Sequence, residues 1–578
     1  MLRGSVKWCF QCNVPILGEY CSLCGGKGRD CATDLKPVFN KERELLERLL
    51  GVDIPPYSFR HRNRIIVNGR TYLNFRIDTQ REKFIVMNKS KHNYQNYGSD
   101  KNMIDRVIKA NQEILKKKEV TAVEFIKRVH EKFPHSEFVA LFGGGKDSAV
   151  TAILAKKALG KVPLLFIDTT LEFPETYEYV ETFSNTHGFV LLKDKKDEFY
   201  RSDQDFFELC KRLGPPSIYC RWCCHIFKER PVRDFINEKK DVDLIFLTGI
   251  RKLESRRRGN YLPIEPGKRI KGQTLVQPII DWKDFEVWLY LLWKKIKINE
   301  LYKVGHARVG CWPCPCTPPI MDLMRRITHR HLWTKFEKIL LDFANKNNRS
   351  EEWVKRSFWR LRRPKRQRFI IDPIAIEDEG EDILFTYRLP CKNLSLEHFK
   401  VIGDLEINNG LFEVKSSSIE IIGKIQKQFI ELKVKCGKSK YIDLKKTIER
   451  VISRSMNCIG CGSCTTSCPR GALKAIDGHV IITEECNKCK TCLEITCAVE
   501  DSEKFFAIKM DPFIVHTCEK GLNMNRIIFF NSEIGRAIAE RLSSMKVNVE
   551  IHDDGKIVCV DENFPRWRLE KIVTRCFQ

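Results

Sequence analysis

The sequence predicts an α/β chain built around a doubly wound parallel sheet and flanked by small cysteine-rich modules. Four apolar runs, Phe138–Phe142, Leu164–Ile167, Phe189–Leu192 and Leu244–Thr248, have the composition of parallel strands buried on both faces, with helical patterns between them. A glycine loop, Gly143-Gly144-Gly145-Lys146-Asp147-Ser148, joins the first run to a helical pattern ending at Leu159. Many of the 25 cysteines fall in Cys-x-x-Cys clusters, a spacing that suits metal rather than disulfides.

The bulk properties narrow the partners. A chain of 578 residues is expected to hold three to five domains. Lys and Arg number 101 against 75 Asp and Glu, a net charge of +26. That excess suits a polyanionic partner or phosphorylated substrates; a Lys/Glu-rich solvated surface explains many charges but not the excess. No apolar run approaches the ~20 residues of a membrane span. Met1-Leu2-Arg3-Gly4-Ser5 opens no signal-peptide core, so the expected location is cytoplasmic, with no membrane partner.

Taken in order, residues 1–35 hold Cys9, Cys12, Cys21 and Cys24, two Cys-x-x-Cys knuckles able to close a tetrahedron around zinc. A small iron site or a metal-free thiol cluster are the alternatives. Residues 40–120 begin with a helix pattern, Glu42–Leu50, and continue with short strand patterns at 64–67, 72–77 and 83–87, a small β-rich module. Its Arg60, His61, Arg62, Arg64 and Arg70 fit a nucleic-acid surface or a solvated basic face. Residues 121–345 form the α/β domain, whose ligands are expected at the carboxyl ends of the strands. Residues 346–450 are a basic linker with interleaved aromatics, then a β-rich region. Residues 451–500 are the second cysteine block, and 505–578 a small α/β tail with patterns at 527–530, 534–542 and 556–560. The Trp282–Trp293 aromatic stripe reads as core.

The loop carries the chemistry. Strand, glycines and helix start cradle an anion, because unpaired N–H groups and the helix dipole face it. The P-loop pattern Gly-x-x-x-x-Gly-Lys-Ser/Thr is not met. The loop resembles the pyrophosphate loop of ATP pyrophosphatases. Phe166-Ile167-Asp168-Thr169-Thr170, Thr248-Gly249-Ile250-Arg251, Arg258 and Gln277-Pro278-Ile279-Ile280-Asp281-Trp282 follow in order. Together these blocks resemble the phosphoadenosine phosphosulfate (PAPS) reductase family over roughly residues 135–340. The resemblance implies an adenine-nucleotide α-hydrolase-like fold. Gly143, Gly144, Gly145, Lys146 and Ser148 would hold phosphate or sulfate oxygens, with Asp168 as a nucleotide contact. By residue type, Arg251 and Arg258 offer bidentate forks for a further phosphate or sulfonate, and Asp147 fixes the loop or orients a cation such as Mg²⁺. The family loop usually begins with Ser, where this chain has Gly143, so one hydroxyl is lost.

Cys223-Cys224 and the distant Cys311-Trp312-Pro313-Cys314 resemble the quartet of adenylylsulfate (APS) reductases, which implies a [4Fe–4S] cluster beside the nucleotide. Zinc or unmetallated thiols are the alternatives, and Cys220 and Cys316 flank the two halves. The reductases also carry a thiol in a Glu-Cys-Gly motif near the C-terminus, which is missing from this sequence.

Cys458-x-x-Cys461-x-x-Cys464-x-x-x-Cys468-Pro469 is the bacterial ferredoxin run. With Cys486, Cys489, Cys492 and Cys497 it resembles a two-cluster ferredoxin, in which the fourth cysteine of each run crosses to the other [4Fe–4S] cluster. The second run has one extra residue before Cys497 and no proline after it.

Three functions fit: ATP-dependent sulfur transfer to a small substrate, tRNA or DNA, with electrons supplied by a donor; reduction of APS or PAPS to sulfite; or a non-enzymatic, nucleic-acid-binding redox sensor. The intact loop blocks, with Lys146, Asp147, Ser148 and Arg251 as the catalytic candidates, favour an enzyme. The oligomeric state is not encoded in any recognisable pattern.

Overall fold

The computed structural model describes residues 5–78, 83–91, 102–362 save 240 and 271, and 373–497 save 391–393, 418, 427–428, 477 and 495–496. Beyond 497 it describes four strands and a few positions between 516 and 561. The chain divides into two units, residues 1–365 with 458–504, and residues 366–457 with 505–578.

The first unit is organised by a five-stranded sheet in the order 164–165, 137–141, 244–247, 274–276, 264–266. Its first four strands are mutually parallel, and Ile264–Pro266 closes one edge antiparallel. Glu137–Leu141 and Leu244–Leu247 sit side by side at its centre, with Phe246 and Leu247 wholly buried, as continuous apolar runs require. Phe189–Leu192 does not become a strand: it makes one parallel bridge, Leu191 to Leu164. Val190 is 68% exposed, so the run is buried on one side only.

Helix Met103–Lys132 joins two cores. Its first half gives Met103, Val107, Ala110 and Leu115 to the core of the cysteine-rich segment and the β-rich module; its second half gives Ala122, Ile126 and Val129 to the sheet. At 1.5 Å per residue such a helix reaches roughly 45 Å. It runs straight through position 120, so no boundary falls there, and the β-rich module ends with the strand Lys83–Lys89. Helix Asp284–Trp293 is apolar on all sides because it lies between the same two cores: Phe285 and Leu289 face one, Val287, Trp288 and Leu291 the other. The tryptophan stripe is therefore packing.

The N-terminal segment forms a three-stranded sheet, 14–16, 6–9, 29–32, and the β-rich module a five-stranded antiparallel one running from 36–37 to 83–89. Trp8 lies between them, edge-on to Phe59. The contact exists because Gly69, at φ +69°, has no side chain: a Cβ there would sit 2.5 Å from Trp8 Cγ.

In the second unit, six antiparallel strands take the order 375–379, 382–390, 429–437, 419–425, 411–416, 404–408. Phe385, Tyr387, Phe412 and Val434 are buried within it, as are Ile448 and Val451 of helix Tyr441–Asn457. The four strands described beyond residue 515 pair antiparallel. The pattern expected at 534–542 lies largely outside the described residues. No described helix is long and apolar enough to cross a membrane.

Gly69→Ala and Gly51→Ala separate sterics from backbone strain. Both glycines have positive φ, but nothing lies within 4 Å of a Cβ at Gly51. Gly51→Ala is expected to cost about 1 kcal/mol, the left-handed backbone penalty. Gly69→Ala adds an overpacking cost of about 1–3 kcal/mol. Urea unfolding measures both, and equal losses would show that the Trp8 contact does not constrain the fold.

Candidate functional site

The glycine loop runs from the end of strand Glu137–Leu141 to the start of helix Lys146–Leu159, at the carboxyl edge of the sheet. Its shape depends on missing side chains. Gly144 adopts φ +68°, and a Cβ there would lie 2.9 Å from Thr176 Cγ2. Gly249, just past the neighbouring strand, would put a Cβ 2.6 Å from the Asp147 carbonyl carbon. Helix Pro174–His187 and the end of strand Leu244–Leu247 are thus pressed against the loop. Gly143 has open space around its Cα. The Ser148 hydroxyl donates to the Gly145 carbonyl at 2.9 Å, and the Lys146 N–H donates to the Tyr302 hydroxyl at 3.0 Å.

Beside the loop, two cations and two carboxylates close on one another. Lys146 Nζ lies 2.8 Å from Asp147 Oδ2 and 2.9 Å from Asp284 Oδ1. Arg251 Nε lies 2.6 Å from Asp147 Oδ1, and its Nη2 2.6 Å from Asp284 Oδ1. The four formal charges cancel. Burial pulls the Lys146 ammonium toward neutrality, but Asp147 and Asp284 outweigh it and hold the group more firmly charged than usual. Burial likewise pushes Asp147 up, while Lys146 and Arg251 carry it below the usual carboxylate range. The Lys146 ammonium also lies 5.8 Å from the Trp288 ring centre and 5.9 Å from that of Tyr302.

A fifth group enters from far away in sequence. Asp34 accepts the backbone N–H groups of Asp284 and Phe285, each at 2.9 Å, and so caps the helix bearing Asp284. Burial, with the charge of Asp284, pushes its carboxyl up to about 6.

Asp168 ends a strand, and its Oδ1 accepts from the Tyr177 hydroxyl at 2.6 Å and the Thr170 N–H at 2.7 Å. Arg258 pairs with Glu254. Burial, then the neighbouring positive charge of Arg308, lowers the affinity of Arg258 for its proton. Two close guanidiniums carry more charge than Glu254 alone balances. Asp34, Asp284, Tyr302 and Arg308 were not singled out in the sequence. Asp284 had a faint signal three residues past the Asp281-Trp282 block; the other three had none.

The second group of side chains gathers about Thr169 and Glu172, one and four residues beyond Asp168. Helix Trp222–Cys224 passes through a π-helical turn, His225–Glu229, into helix Arg230–Glu238. π-turns often mark functional sites, and this one holds Lys228. The Cys223 and Cys224 thiols are in hydrogen-bonding contact and feel Cys311 and Cys314. The Cys311 thiol faces Thr169 Oγ1 at 3.6 Å and Glu172 Oε1 at 3.7 Å. Cys311, then Glu172, Cys224 and Cys314, keeps the buried Lys228 ammonium charged. Four thiols, one cation and the Asp168–Glu172 stretch therefore converge. Cys316, exposed, contacts the Cys314 thiol. Cys220 is buried in a turn where its N–H donates to Ser217 Oγ. Four converging thiols with the Lys228 ammonium beside them suit an anionic iron–sulfur cluster.

The N-terminal cysteines fit one metal ion. The ligand atoms of Cys9, Cys12, Cys21 and Cys24 all lie within 4.8 Å of one another, with Cys9 Sγ 3.5 Å from Cys24 Sγ. Ligands about 2.3 Å from a tetrahedral zinc stand that close. The Cys12 and Gly26 N–H groups point at Cys9 and Cys24 sulfurs at 3.4 Å, as they do toward thiolates.

The ferredoxin-type block packs on helix Arg230–Glu238. Arg233 donates to the Cys468 carbonyl, and Arg230 Nη2 to the Ala475 carbonyl at 3.2 Å. Two glycines make the approach possible: a Cβ on Gly462 would lie 2.7 Å from Arg230 Cδ, and one on Gly471 2.4 Å from Asn237 Oδ1. Cys458 and Cys468 sulfurs accept the N–H groups of Gly460 and Ala472 at 3.4 and 3.3 Å. Cys461 and Cys492 are buried, Cys464, Cys486 and Cys497 partly so, and Cys489 is exposed. Backbone N–H groups aimed at sulfur fit cluster-bearing thiolates.

Comparison with known proteins matches two regions of the chain. Residues 137–317 match the phosphoadenosine phosphosulfate reductase domain, and residues 455–474, with the first ferredoxin run, match the 4Fe-4S binding domain. An uncharacterized protein of Methanocaldococcus jannaschii is 38% identical over 274 residues, 47% of this chain and 55% of that protein. A second from the same organism is 29% identical over 261 residues, 44% of this chain and 60% of that protein. The chain thus spans little more than half the length of these two relatives. The adenosine 5'-phosphosulfate reductase of Staphylococcus epidermidis is 27% identical over 202 residues, 35% of this chain and 78% of that protein. Among solved structures, the PAPS reductase of Candida auris in its phosphate complex is 21% identical, covering 37% of this chain and 97% of that one, with a TM-score of 0.27. The chain carries a phosphoadenosine phosphosulfate reductase domain of parallel α/β type together with a 4Fe–4S ferredoxin motif.

Proposed function

We propose that the chain is an iron–sulfur enzyme of sulfur metabolism that binds ATP at the glycine loop and uses it to transfer sulfur to an acceptor. The observation that carries this reading is the charge balance beside the loop. Asp147 and Asp284 add two carboxylates that Lys146 and Arg251 only just neutralise. A bare phosphosulfate gains no net attraction from such a group. A magnesium–triphosphate does, because Asp147 and Asp284 are the oxygen ligands a Mg²⁺ would share with phosphate. Arg258 and Arg308, across the cleft, then meet phosphate oxygens.

In this reading the loop N–H groups, Gly143 to Gly145, hold the β- and γ-phosphates. An acceptor oxygen attacks the α-phosphorus, pyrophosphate leaves, and the acceptor is adenylated. A sulfide-level sulfur donor then displaces AMP from the acceptor carbon. An iron–sulfur cluster on Cys223, Cys224, Cys311 and Cys314 would supply electrons or hold sulfur; Lys228 places a positive charge beside it, and Glu172 stands within reach of the same sulfurs. Two further [4Fe–4S] clusters, on Cys458, Cys461, Cys464 and Cys497 and on Cys486, Cys489, Cys492 and Cys468, would accept electrons from an external donor. Zinc at Cys9, Cys12, Cys21 and Cys24 is structural. Reduction of APS or PAPS is the second reading, favoured by the 27% identity to an adenosine 5'-phosphosulfate reductase.

Two measurements test this. Protein purified without oxygen is expected to hold about twelve irons, four for each cubane, and one zinc. The double variant Cys223→Ser/Cys224→Ser drops to about eight irons with zinc unchanged, and Cys9→Ser loses only zinc; about eight irons in the unmutated chain would remove the cluster beside the nucleotide. With tRNA or single-stranded DNA supplied as acceptor, assays are expected to show exchange of labelled pyrophosphate into ATP, reduced about 10²-fold by Asp147→Asn, as for loss of one preorganised charged group. Sulfite release from APS or PAPS with no such exchange would overturn ATP-dependent transfer in favour of reduction.

A further inference from the structure

A cavity of about 970 Å³ lies between the β-rich module and the α/β domain. Arg251 and Asp284 of the charged quartet line it, so it opens onto the loop site. Asp34, Lys36 and Arg60 form the side toward the β-rich module, and the start of helix Pro319–Thr328 lies opposite. At the rim, His61, Arg62 and Asn63 are shared with a second cavity of about 300 Å³, which runs on to Arg64 and Asn74.

The cations of this region fall into two classes. The inner ones are balanced: Glu42, wholly buried, pairs with Lys36 at 2.8 Å and with Arg60 at 2.6 Å. The outer ones are not. Arg62, Arg64 and Arg76 have no carboxylate within ion-pair distance among the described residues. Arg62 occupies the tip of the hairpin 59–67 with φ +55°, a conformation that Gly or Asn would take without strain. Arg64 and Arg76 sit on adjacent strands, Arg64 opposite Asn74 and Arg76 two residues farther along. One strand-period of two residues places them on the same face, about 7 Å apart.

We propose that this cavity receives one nucleotide of a nucleic-acid strand, the acceptor of the sulfur. This rests on the ATP-dependent reading above. The base and ribose enter the cavity and face Arg251 and Asp284, while the phosphodiester backbone crosses Arg62, Arg64 and Arg76. The volume lies at the upper end of small-ligand pockets, ~300–1,000 Å³, enough for a nucleoside but not a duplex. The acceptor nucleotide is therefore unpaired or extruded from its helix, as enzymes that modify bases require. A small phosphorylated metabolite offers one or two phosphates at one place. Three unmet guanidiniums spread over a hairpin and its neighbouring strand suit a charge that repeats along a chain.

The test uses the full-length chain and two fluorescent probes, bulk tRNA and single-stranded DNA of matching length, read by anisotropy over a series of salt concentrations. Binding of one or both probes is expected, weakening steeply with salt. Arg62→Glu/Arg76→Glu is expected to weaken it at least tenfold and to lower the salt slope by about two, one for each lost phosphate contact. Arg62→Lys/Arg76→Lys recovers most of the affinity, and wild-type melting temperatures for both variants confirm the fold. The probe that binds tighter identifies the source of the strand. The proposal is overturned if neither probe binds, if charge reversal leaves affinity unchanged, or if reversing the exposed Lys195 and Lys196 weakens binding equally. Because anisotropy needs no turnover, strand binding without ATP–pyrophosphate exchange would fail only the catalytic reading, and exchange without strand binding only this one.

Discussion

Lys146, Asp147, Arg251 and Asp284 are joined by four ion pairs of 2.6 to 2.9 Å across three separate elements, and the geometry of the nucleotide site follows from that meeting. Lys146 and Asp147 open the helix after the glycine loop, Arg251 follows the neighbouring strand, and Asp284 begins the helix between the two cores. Buried ion pairs add little net stability, but losing one partner leaves an uncompensated charge, at about 3–5 kcal/mol. The quartet therefore acts as a registration device. It admits one arrangement of loop, strand end and helix, and Asp34 extends that registration to the N-terminal segment by capping the third element. Such rigidity fits the proposed adenylation, in which a phosphorus must lie within bonding reach of an acceptor.

The helical segment that starts at Trp222 solves a related problem. From Cys224 to Arg233 is nine residues, roughly 14 Å of helix. One end presents thiols to the nucleotide edge; the other is gripped by the ferredoxin-type block through Arg230 and Arg233. The distance between the two cysteine groups is thus set by one continuous helical segment, whose π-turn carries Lys228. Gly462 and Gly471 let the block come close enough for main-chain carbonyls to reach the arginines.

Legibility in the sequence followed locality. The loop, the Cys-x-x-Cys knuckles and the ferredoxin run are short patterns whose chemistry is complete within a few residues, and each could be read directly. The central strands were legible because burial on both faces leaves a continuous apolar run; Phe189–Leu192 misled because the same composition also arises at a half-exposed edge. Helix Met103–Lys132 was hidden because its two halves serve different cores and share no single apolar stripe. The partners of the site were the least visible. Asp34 stands 250 residues from the helix it caps, and Tyr302 156 residues from the loop N–H it accepts. Nothing in the local sequence distinguishes these side chains from others of their kind.

The same reasoning separates the charges of the β-rich module, which composition alone cannot. Arg60 and Arg62 are two residues apart and look alike in sequence. Arg60 is sunk against Glu42, which also holds Lys36, so its charge is spent inside the fold. Arg62 stands on a strained hairpin tip at the mouth of a cavity that leads to Arg251 and Asp284. Under the proposed strand binding, the four balanced charges of the quartet contribute no net attraction, so the pull comes from the rim, where water still screens it and the strand can be released.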